Sequence, residues 1–150
     1  MIKVYLDTSV YNRPFDDQTQ NKIALETEAV LLILEMIKNQ EIELVNSEPI
    51  EYENLFNSDF TRQQKITKFL TLATIYQKME QSEEKRAKQL QNQGIKLLDS
   101  YHVACAEAAK SDYFITCDQR LINRCQTLST IKTVNPIDFI TEVSDENQNN

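Results

Sequence analysis

The chain has 150 residues, of which 41% are hydrophobic and 26% charged, a composition that fits one globular domain. Its formal net charge of −7 counts against a strong stand-alone nucleic-acid binder, which usually carries a basic face. Three cysteines without a close pair argue against a disulfide framework and a zinc site, and no apolar run is long enough to cross a membrane. The N-terminus lacks the basic start and cleavage site of a signal peptide, so we expect a cytoplasmic protein.

Strand and helix patterns alternate through the first half of the chain. Residues 2–6 alternate in polarity and predict a first strand, and residues 10–19 predict a turn-rich connection. A broad apolar face over 21–37 predicts a helix. Residues 41–45 predict a second strand, after which Ser47 has the sequence context of a helix N-cap.

The second half of the chain continues this alternation. Apolar spacing and helix-favouring composition predict helices at 58–73, 80–93, 95–111, 118–128 and 136–140. Alternating or β-branched runs predict strands at 112–117 and 131–135, whereas 74–79 is ambiguous and is interpreted as a short extended piece. The only glycine, Gly94, is predicted to end the polar helix before it.

Strands that alternate with helices predict an α/β domain with a mainly parallel sheet and helices on both faces. We expect this domain to span 1–142, with a polar, disordered tail at 143–150. Ligands of such sheets bind outside the carboxyl ends of the strands. Asp7 follows the first predicted strand and Asp118 opens a helix directly after another, so both are predicted at this edge.

Two further carboxylates are predicted near the same edge. Asp99 lies near the start of the alanine-rich helix. The helix after the second strand offers Glu48, Glu51 and Glu53, of which Glu53 lies about 200° around the helix from Glu51. Each carboxylate taken alone also has an ordinary interpretation as a helix cap or a solvated side chain. Gathered together, they have the chemistry that binds Mg²⁺ or Mn²⁺, which prefer oxygen ligands.

Three segments resemble the PIN domain family. They are "VYLDTSVYNR" near the start, "LLDSYHVACAEAAKSDYFITCDQRLI" near the end and "VNPIDFI" at the close of the predicted sheet. The resemblance covers residues 2–140 and implies an α/β/α sandwich around a central parallel sheet. It also implies a Mg²⁺- or Mn²⁺-dependent endoribonuclease, since the family includes the ribonuclease toxins of bacterial toxin–antitoxin pairs.

The resemblance also assigns residues to the site. It places Asp7, Asp99 and Asp118 on the family's acids, and we expect these three to bind the metal. Counting from the serine that ends the second strand favours Glu53 as the fourth catalytic acid, whereas the apolar neighbours of Glu51 keep that residue as an alternative.

The resemblance also covers side chains that support the acids, and the predicted edge of the sheet offers basic side chains for contacts to substrate. Ser9 and Thr116 match small hydroxyl positions that hold the acids or a bound water, although each also suits a turn-stabilising hydrogen bond. Basic side chains near the predicted edge are candidate contacts to substrate phosphate: Arg13, Lys96, His102 and Arg120. The ordinary interpretation of these basic residues is a packed or solvated side chain.

The resulting hypothesis is an endoribonuclease that hydrolyses RNA phosphodiester bonds with an activated water in an acidic cluster. The resemblance implies a small antitoxin protein as a partner and a homodimer, and we expect no membrane contact. The alternative is a catalytically inactive PIN-like module that binds RNA or a protein.

Overall fold

The computed structural model describes residues 1–148, with side chains through position 145, and shows a parallel sheet between helices. The sheet has five short strands: β1 (Lys3–Leu6), β2 (Glu43–Ser47), β3 (Ile75–Gln77), β4 (Tyr113–Ile115) and β5 (Lys132–Val134). Their spatial order is β3-β2-β1-β4-β5, and every neighbouring pair is parallel. The first strand of the chain is therefore the central strand of the sheet.

Helices form most of the connections between these strands. They are α1 (Thr8–Asn12), α2 (Asn21–Lys38), α3 (Glu48–Leu55), α4 (Phe60–Leu70), α5 (Gln81–Asn92), α6 (Leu97–Ala108), α7 (Gln119–Leu128) and α8 (Pro136–Gln148), with a 3-10 turn at Arg13–Phe15. Parallel strands need a crossover connection, and helical crossovers cover the faces of the sheet. Within residues 1–148, no helix has the length and apolar character that a membrane span requires.

Different helices cover the two faces of the sheet. On one face, Tyr5 of β1 stacks with Phe114 of β4 and lies edge-on to His102 of α6. On the other face, Tyr113 of β4 meets Phe139 of α8 edge-on, with the ring centroids 4.9 Å apart. Because successive strand residues point to opposite faces, Tyr113 and Phe114 contact different helical layers. The predicted three-layer α/β/α sandwich is confirmed.

The burial of β1 explains its apolar sequence and the placement of the residue that follows it. Val4, Tyr5 and Leu6 are fully buried because both faces of the central strand are covered. The backbone N–H of Asp7 still donates to the carbonyl oxygen of Ile115 at 3.1 Å. Sheet pairing thus continues up to Asp7 and fixes its carboxylate at the carboxyl edge.

The predicted turn-rich connection at 10–19 is wrong in its first part. Helix α1 begins at Thr8, directly after its N-cap Asp7, and the 3-10 turn follows it. Val10 and Tyr11 are buried, so this helix is held by packing against the core. A five-residue helix is too short to show a hydrophobic period in the sequence.

The predicted tail at 143–150 is also corrected. Helix α8 continues from Pro136 to Gln148 instead of ending at position 140, and Val143 packs into the core. Phe139, Ile140 and Val143 recur at helical spacing and form its apolar side. Polar residues on the solvent side of this helix resemble a disordered tail in composition. Positions 149 and 150 of the predicted tail lie outside the described residues.

Candidate active site

The carboxyl edge of the sheet brings the predicted acids near one another. Asp7 follows β1, Asp118 caps the helix after β4, and Asp99 lies in the first turn of α6. Burial raises the pKa of Asp99, the charges of Asp7, Asp118 and Glu53 raise it further, and nearby His102 lowers it, so that it reaches about 6. The other three carboxylates are therefore close enough to repel that of Asp99.

Asp7 and Asp118 are each held by one carboxylate oxygen. Oδ1 of Asp7 accepts a hydrogen bond from the backbone N–H of Ser9 at 2.6 Å. Oδ1 of Asp118 accepts from the backbone N–H groups of Arg120 and Leu121 at 3.0 and 3.3 Å. Among the described residues, no donor bonds Oδ2 of either aspartate. Both residues thus serve as helix caps and still present a second oxygen to a ligand.

Glu53 is held at both carboxylate oxygens. Thr8 Oγ1 donates to Oε2 at 2.8 Å, and His102 Nε2 forms a short hydrogen bond with Oε1. Burial alone raises the pKa of Glu53, but the hydrogen bonds that His102 and the Thr8 hydroxyl make to its carboxylate lower it below its usual value. Glu53, as a carboxylate, therefore links the start of α1 to helix α6.

The other two glutamates of α3 do not share the contacts that Glu53 makes with Thr8 and His102. Glu51 is exposed and accepts hydrogen bonds from Asn46 Nδ2 at 3.0 Å and from the Tyr76 hydroxyl at 3.4 Å. Glu48 is exposed in the first turn of the helix. Of the three candidates, Glu53 is the one that contacts residues flanking the aspartates.

The two predicted hydroxyl positions bridge the loops that carry the aspartates. Ser9 Oγ accepts from the backbone N–H of Cys117 at 3.1 Å and lies 3.4 Å from Thr116 Oγ1. Thr116 Oγ1 in turn accepts from the backbone N–H of Asp118 at 3.1 Å. These bonds tie the first turn of α1 to the loop after β4, so they fix the separation of the two capping aspartates.

Two of the basic residues that the sequence predicts as phosphate contacts form ion pairs or hydrogen bonds within the protein. Arg13 forms ion pairs with Glu26, at 3.3 Å from Nε to Oε1, and with Asp16, at 3.2 Å from Nη1 to Oδ2. The His102 side chain is 1% exposed, and both ring nitrogens are hydrogen-bonded, one to Glu53 and the other to Tyr5. Arg13 is thus paired with two carboxylates, and both ring nitrogens of His102 have protein partners.

The remaining basic candidates line a small cavity beside the acids. This cavity, of about 60 Å³, is bordered by Lys96, Asp99, Asp118, Arg120 and Arg124 among others. Arg124 was not a sequence candidate, because it stands in the second turn of α7 with no motif around it. Thr8 was missed as well, although its position between Asp7 and Ser9 is a signal that it lies at the strand end.

The carboxylates suit a hard divalent cation in their chemistry. Among the side chains described, those of residues 1–145, no three His, Cys, Asp or Glu groups converge closely enough to enclose a metal ion on their own. Mg²⁺ usually takes only one or two direct carboxylates and completes its shell with water and substrate oxygens. The unbonded oxygens of Asp7 and Asp118, and the repulsion at Asp99, fit a cation that is bound in this partial manner.

A comparison with protein-family models identifies the family. The PIN domain model matches residues 4–126. The chain belongs to the PIN domain family. This confirms the family that its sequence segments resemble. PIN domains are generally nucleases that need divalent metals, so membership supports a nuclease without identifying the metal.

Two solved structures share the fold of this PIN domain. PAE2754 from Pyrobaculum aerophilum has a TM-score of 0.57 at 14% identity, covering 96% of this chain and 90% of its own. VapBC2 from Rickettsia felis, bound to a DNA fragment from their promoter, has a TM-score of 0.60 at 14% identity, covering 89% of this chain and 98% of its own. At this identity the likeness shows the fold alone. No curated protein sequence matches the chain.

Proposed function

We propose that this PIN domain is an endoribonuclease that hydrolyses RNA phosphodiester bonds at the carboxyl edge of its sheet. The observation that carries the proposal is the state of Asp99. Its half-buried carboxylate has no hydrogen bond or ion pair with any described residue, and burial, together with the charges of Asp7, Asp118 and Glu53, raises its pKa to about 6. A carboxylate that is desolvated and repelled without a bonded partner is typical of a functional site, because it lowers the stability of the fold.

Asp7, Asp99 and Asp118 would hold Mg²⁺ or Mn²⁺, directly or through water. Such a cation, when bound, activates water and offsets the charge of the phosphate oxygens. Glu53 has a fixed side chain and a lowered pKa, so it remains ionised and can accept a hydrogen bond from the attacking water. Its role is to orient that water toward phosphorus.

The cations of the small cavity supply the contacts to the substrate backbone. Arg120 and Lys96 are exposed and line the same cavity as Asp99 and Asp118, so their side chains can meet a phosphate at the acidic cluster. Arg124 lines this cavity too. Arg13 is not included, because its guanidinium is already paired with Glu26 and Asp16.

We infer further that the chain is the toxin of a toxin–antitoxin pair, with a small antitoxin protein as its partner. The fold shared with VapBC2 supports this inference. A homodimer remains a prediction from the family resemblance, and a cytoplasmic location remains a separate prediction from the sequence. Expression of the chain alone should slow bacterial growth, and co-expression of its antitoxin should restore it; normal growth on expression alone contradicts the inference.

The nuclease is tested on a panel of structured and single-stranded RNAs, with single-stranded DNA in parallel. Wild type, Asp99→Asn and the exposed control Glu48→Gln are each incubated with Mn²⁺ and with a chelator. We expect RNA cleavage by wild type and Glu48→Gln in Mn²⁺ alone, with a loss of about 100-fold in Asp99→Asn, since a lost ligand removes most metal-assisted catalysis.

The other outcomes contradict the proposal in different ways. If neither wild type nor either variant cleaves RNA, the inactive RNA- or protein-binding module is favoured. Equal cleavage by wild type and Asp99→Asn shows that the activity does not arise at this cluster. Cleavage of DNA in preference to RNA would retain the nuclease and overturn its assignment as a ribonuclease.

A further inference from the structure

A buried chain of hydrogen bonds runs from the end of β2 to the carboxylate of Glu53. The Ser47 and Tyr5 hydroxyl oxygens are 2.6 Å apart, and the Tyr5 hydroxyl lies 2.8 Å from Nδ1 of His102. His102 Nε2 then bonds Oε1 of Glu53. Ser47 and Tyr5 are fully buried and His102 is 1% exposed, so neither solvent nor substrate reaches these links.

The donors and acceptors of this chain fit together in one direction. Glu53 as a carboxylate only accepts, so Nε2 of His102 carries a proton. With a neutral imidazole, Nδ1 accepts from the Tyr5 hydroxyl, whose oxygen accepts from Ser47. Ser47 Oγ also accepts from the backbone N–H of Ile50 at 3.4 Å, so every group has a partner.

The reverse direction leaves one hydrogen without an acceptor. A charged imidazolium would donate from Nδ1 to Tyr5, and Tyr5 would donate to Ser47. The hydroxyl hydrogen of Ser47 would then have no acceptor among the described residues, a costly state for a fully buried group. The arrangement therefore favours the neutral Nε2–H tautomer.

We propose that His102 is a positioning residue, which Tyr5 and Ser47 hold as the Nε2–H tautomer so that it fixes Glu53 beside the aspartates. The role in catalysis rests on the proposed nuclease function. Thr8 holds the second oxygen of Glu53, so the carboxylate is attached at two points and its plane is set. This role replaces the phosphate contact that the sequence predicts for His102.

The tautomer is read directly by NMR, because the chain contains one histidine. Two-bond ¹H–¹⁵N spectra of the ¹⁵N-labelled full chain at neutral pH report which imidazole nitrogen is protonated. We expect a protonated Nε2 and an unprotonated Nδ1 in wild type, and a shifted Nε2 resonance in Glu53→Gln. An imidazolium, an Nδ1–H tautomer or an Nε2 resonance that does not respond to Glu53→Gln would overturn the proposal.

The catalytic consequence is tested with Tyr5→Phe, which removes the hydroxyl and keeps the ring. We expect kcat for RNA cleavage to fall about 10-fold with KM unchanged, a usual cost of losing an outer hydrogen bond at a catalytic centre. The matched control is Tyr113→Phe, which removes another buried tyrosine hydroxyl, one that donates to Glu142 of α8 at 3.0 Å. The control should keep kcat within about twofold of wild type.

A second pair of variants tests His102 itself. Gln places an amide N–H near the position of Nε2, so His102→Gln should retain more activity than His102→Leu at equal folded fraction. Wild-type kcat in Tyr5→Phe, or a change confined to KM, would overturn the positioning role while the nuclease stands. Absence of cleavage by wild type would instead overturn the proposed function, and the NMR result would still decide how His102 holds Glu53.

Discussion

At the scale of single residues, Asp99 is the one carboxylate of the four acids whose oxygens accept no hydrogen bond from a described residue. Asp7 and Asp118 cap helices, and Glu53 has two hydrogen bonds, whereas Asp99 has no polar partner among the described residues. Its raised pKa means that the folded protein binds a proton there more tightly than the unfolded chain does. Stability therefore falls as pH rises from about 4 to about 6, and the full cost is present above that range.

The first prediction concerns Asp99→Asn in the metal-free protein. At pH 8 the variant removes the repelling charge, so we expect a gain on the order of 2 kcal/mol, seen as a Tm higher by several degrees. At pH 4 Asp99 is protonated in the folded protein, so the gain should vanish. Thermal melts at both pH values, with exposed Glu41→Gln as control, test this; an equal gain at both values contradicts it.

Asp99→Asn should raise the stability of the metal-free protein but reduce its stabilisation by metal. Mn²⁺ should raise the Tm of wild type at pH 8, because the cation relieves the repulsion and binds the folded state. The Asp99→Asn protein should show a smaller rise, since it has lost both a ligand and a repelling charge. If Mn²⁺ raised the Tm of Asp99→Asn as much as that of wild type, the metal would not bind at this cluster.

At the scale of secondary-structure elements, one buried carboxylate links the 3-10 turn, α2 and the start of α8. Glu26 of α2 is fully buried, pairs with Arg13 of the 3-10 turn and accepts a short hydrogen bond from Asn135, which precedes α8. The turn, α2 and the start of α8 therefore depend on one side chain.

The second prediction is that Glu26→Gln destabilises the fold by about 3 kcal/mol. Removing one charge of a buried pair destabilises the fold, because Arg13 is then left with only the part-exposed carboxylate of Asp16 as a counter-charge. Urea unfolding at neutral pH measures the loss, and Glu28→Gln on the exposed side of the same helix is the matched control, expected to stay within about 0.5 kcal/mol of wild type. Equal small losses in both variants would mean that Glu26 is not the link between these elements.

At the scale of the whole molecule, local and total charge oppose each other. The chain carries 16 basic and 23 acidic residues, so its overall field repels RNA. The small cavity nevertheless presents Lys96, Arg120 and Arg124 beside the acids. Affinity for RNA should therefore depend on a few local contacts.

The third prediction is a shallow dependence of cleavage on salt. Three contacts to single-stranded RNA give a slope of about −2 when the logarithm of kcat/KM is plotted against the logarithm of salt concentration. Arg120→Gln should reduce this slope by about 0.7. Lys132→Gln, at the amino end of β5 and thus at the opposite edge of the sheet, should leave it unchanged. A slope that is the same in all three proteins would exclude Arg120 as a phosphate contact.

Periodic features of the chain were predictable because they are local. The apolar run of β1 and the apolar faces of α2 and α6 follow from burial, which repeats along each element. A strand that ends on Asp7, and a second that is followed by Asp118, predict acids at one edge, since parallel strands end on the same side. The fold class and the aspartate positions therefore needed no coordinates.

The sequence by itself determined a parallel α/β domain with aspartates at its carboxyl edge. Only the tertiary structure placed Glu53, and not Glu51, in contact with Thr8 and His102, gave both nitrogens of His102 to Tyr5 and Glu53, and paired Arg13 with Glu26. The contacts of Glu53 and His102 depend on how α3 and α6 pack against the sheet and against each other, and that of Arg13 depends on how the 3-10 turn packs against α2. Local periodicity indicates which side of a helix is buried, but it does not indicate which side chains of other elements contact that side.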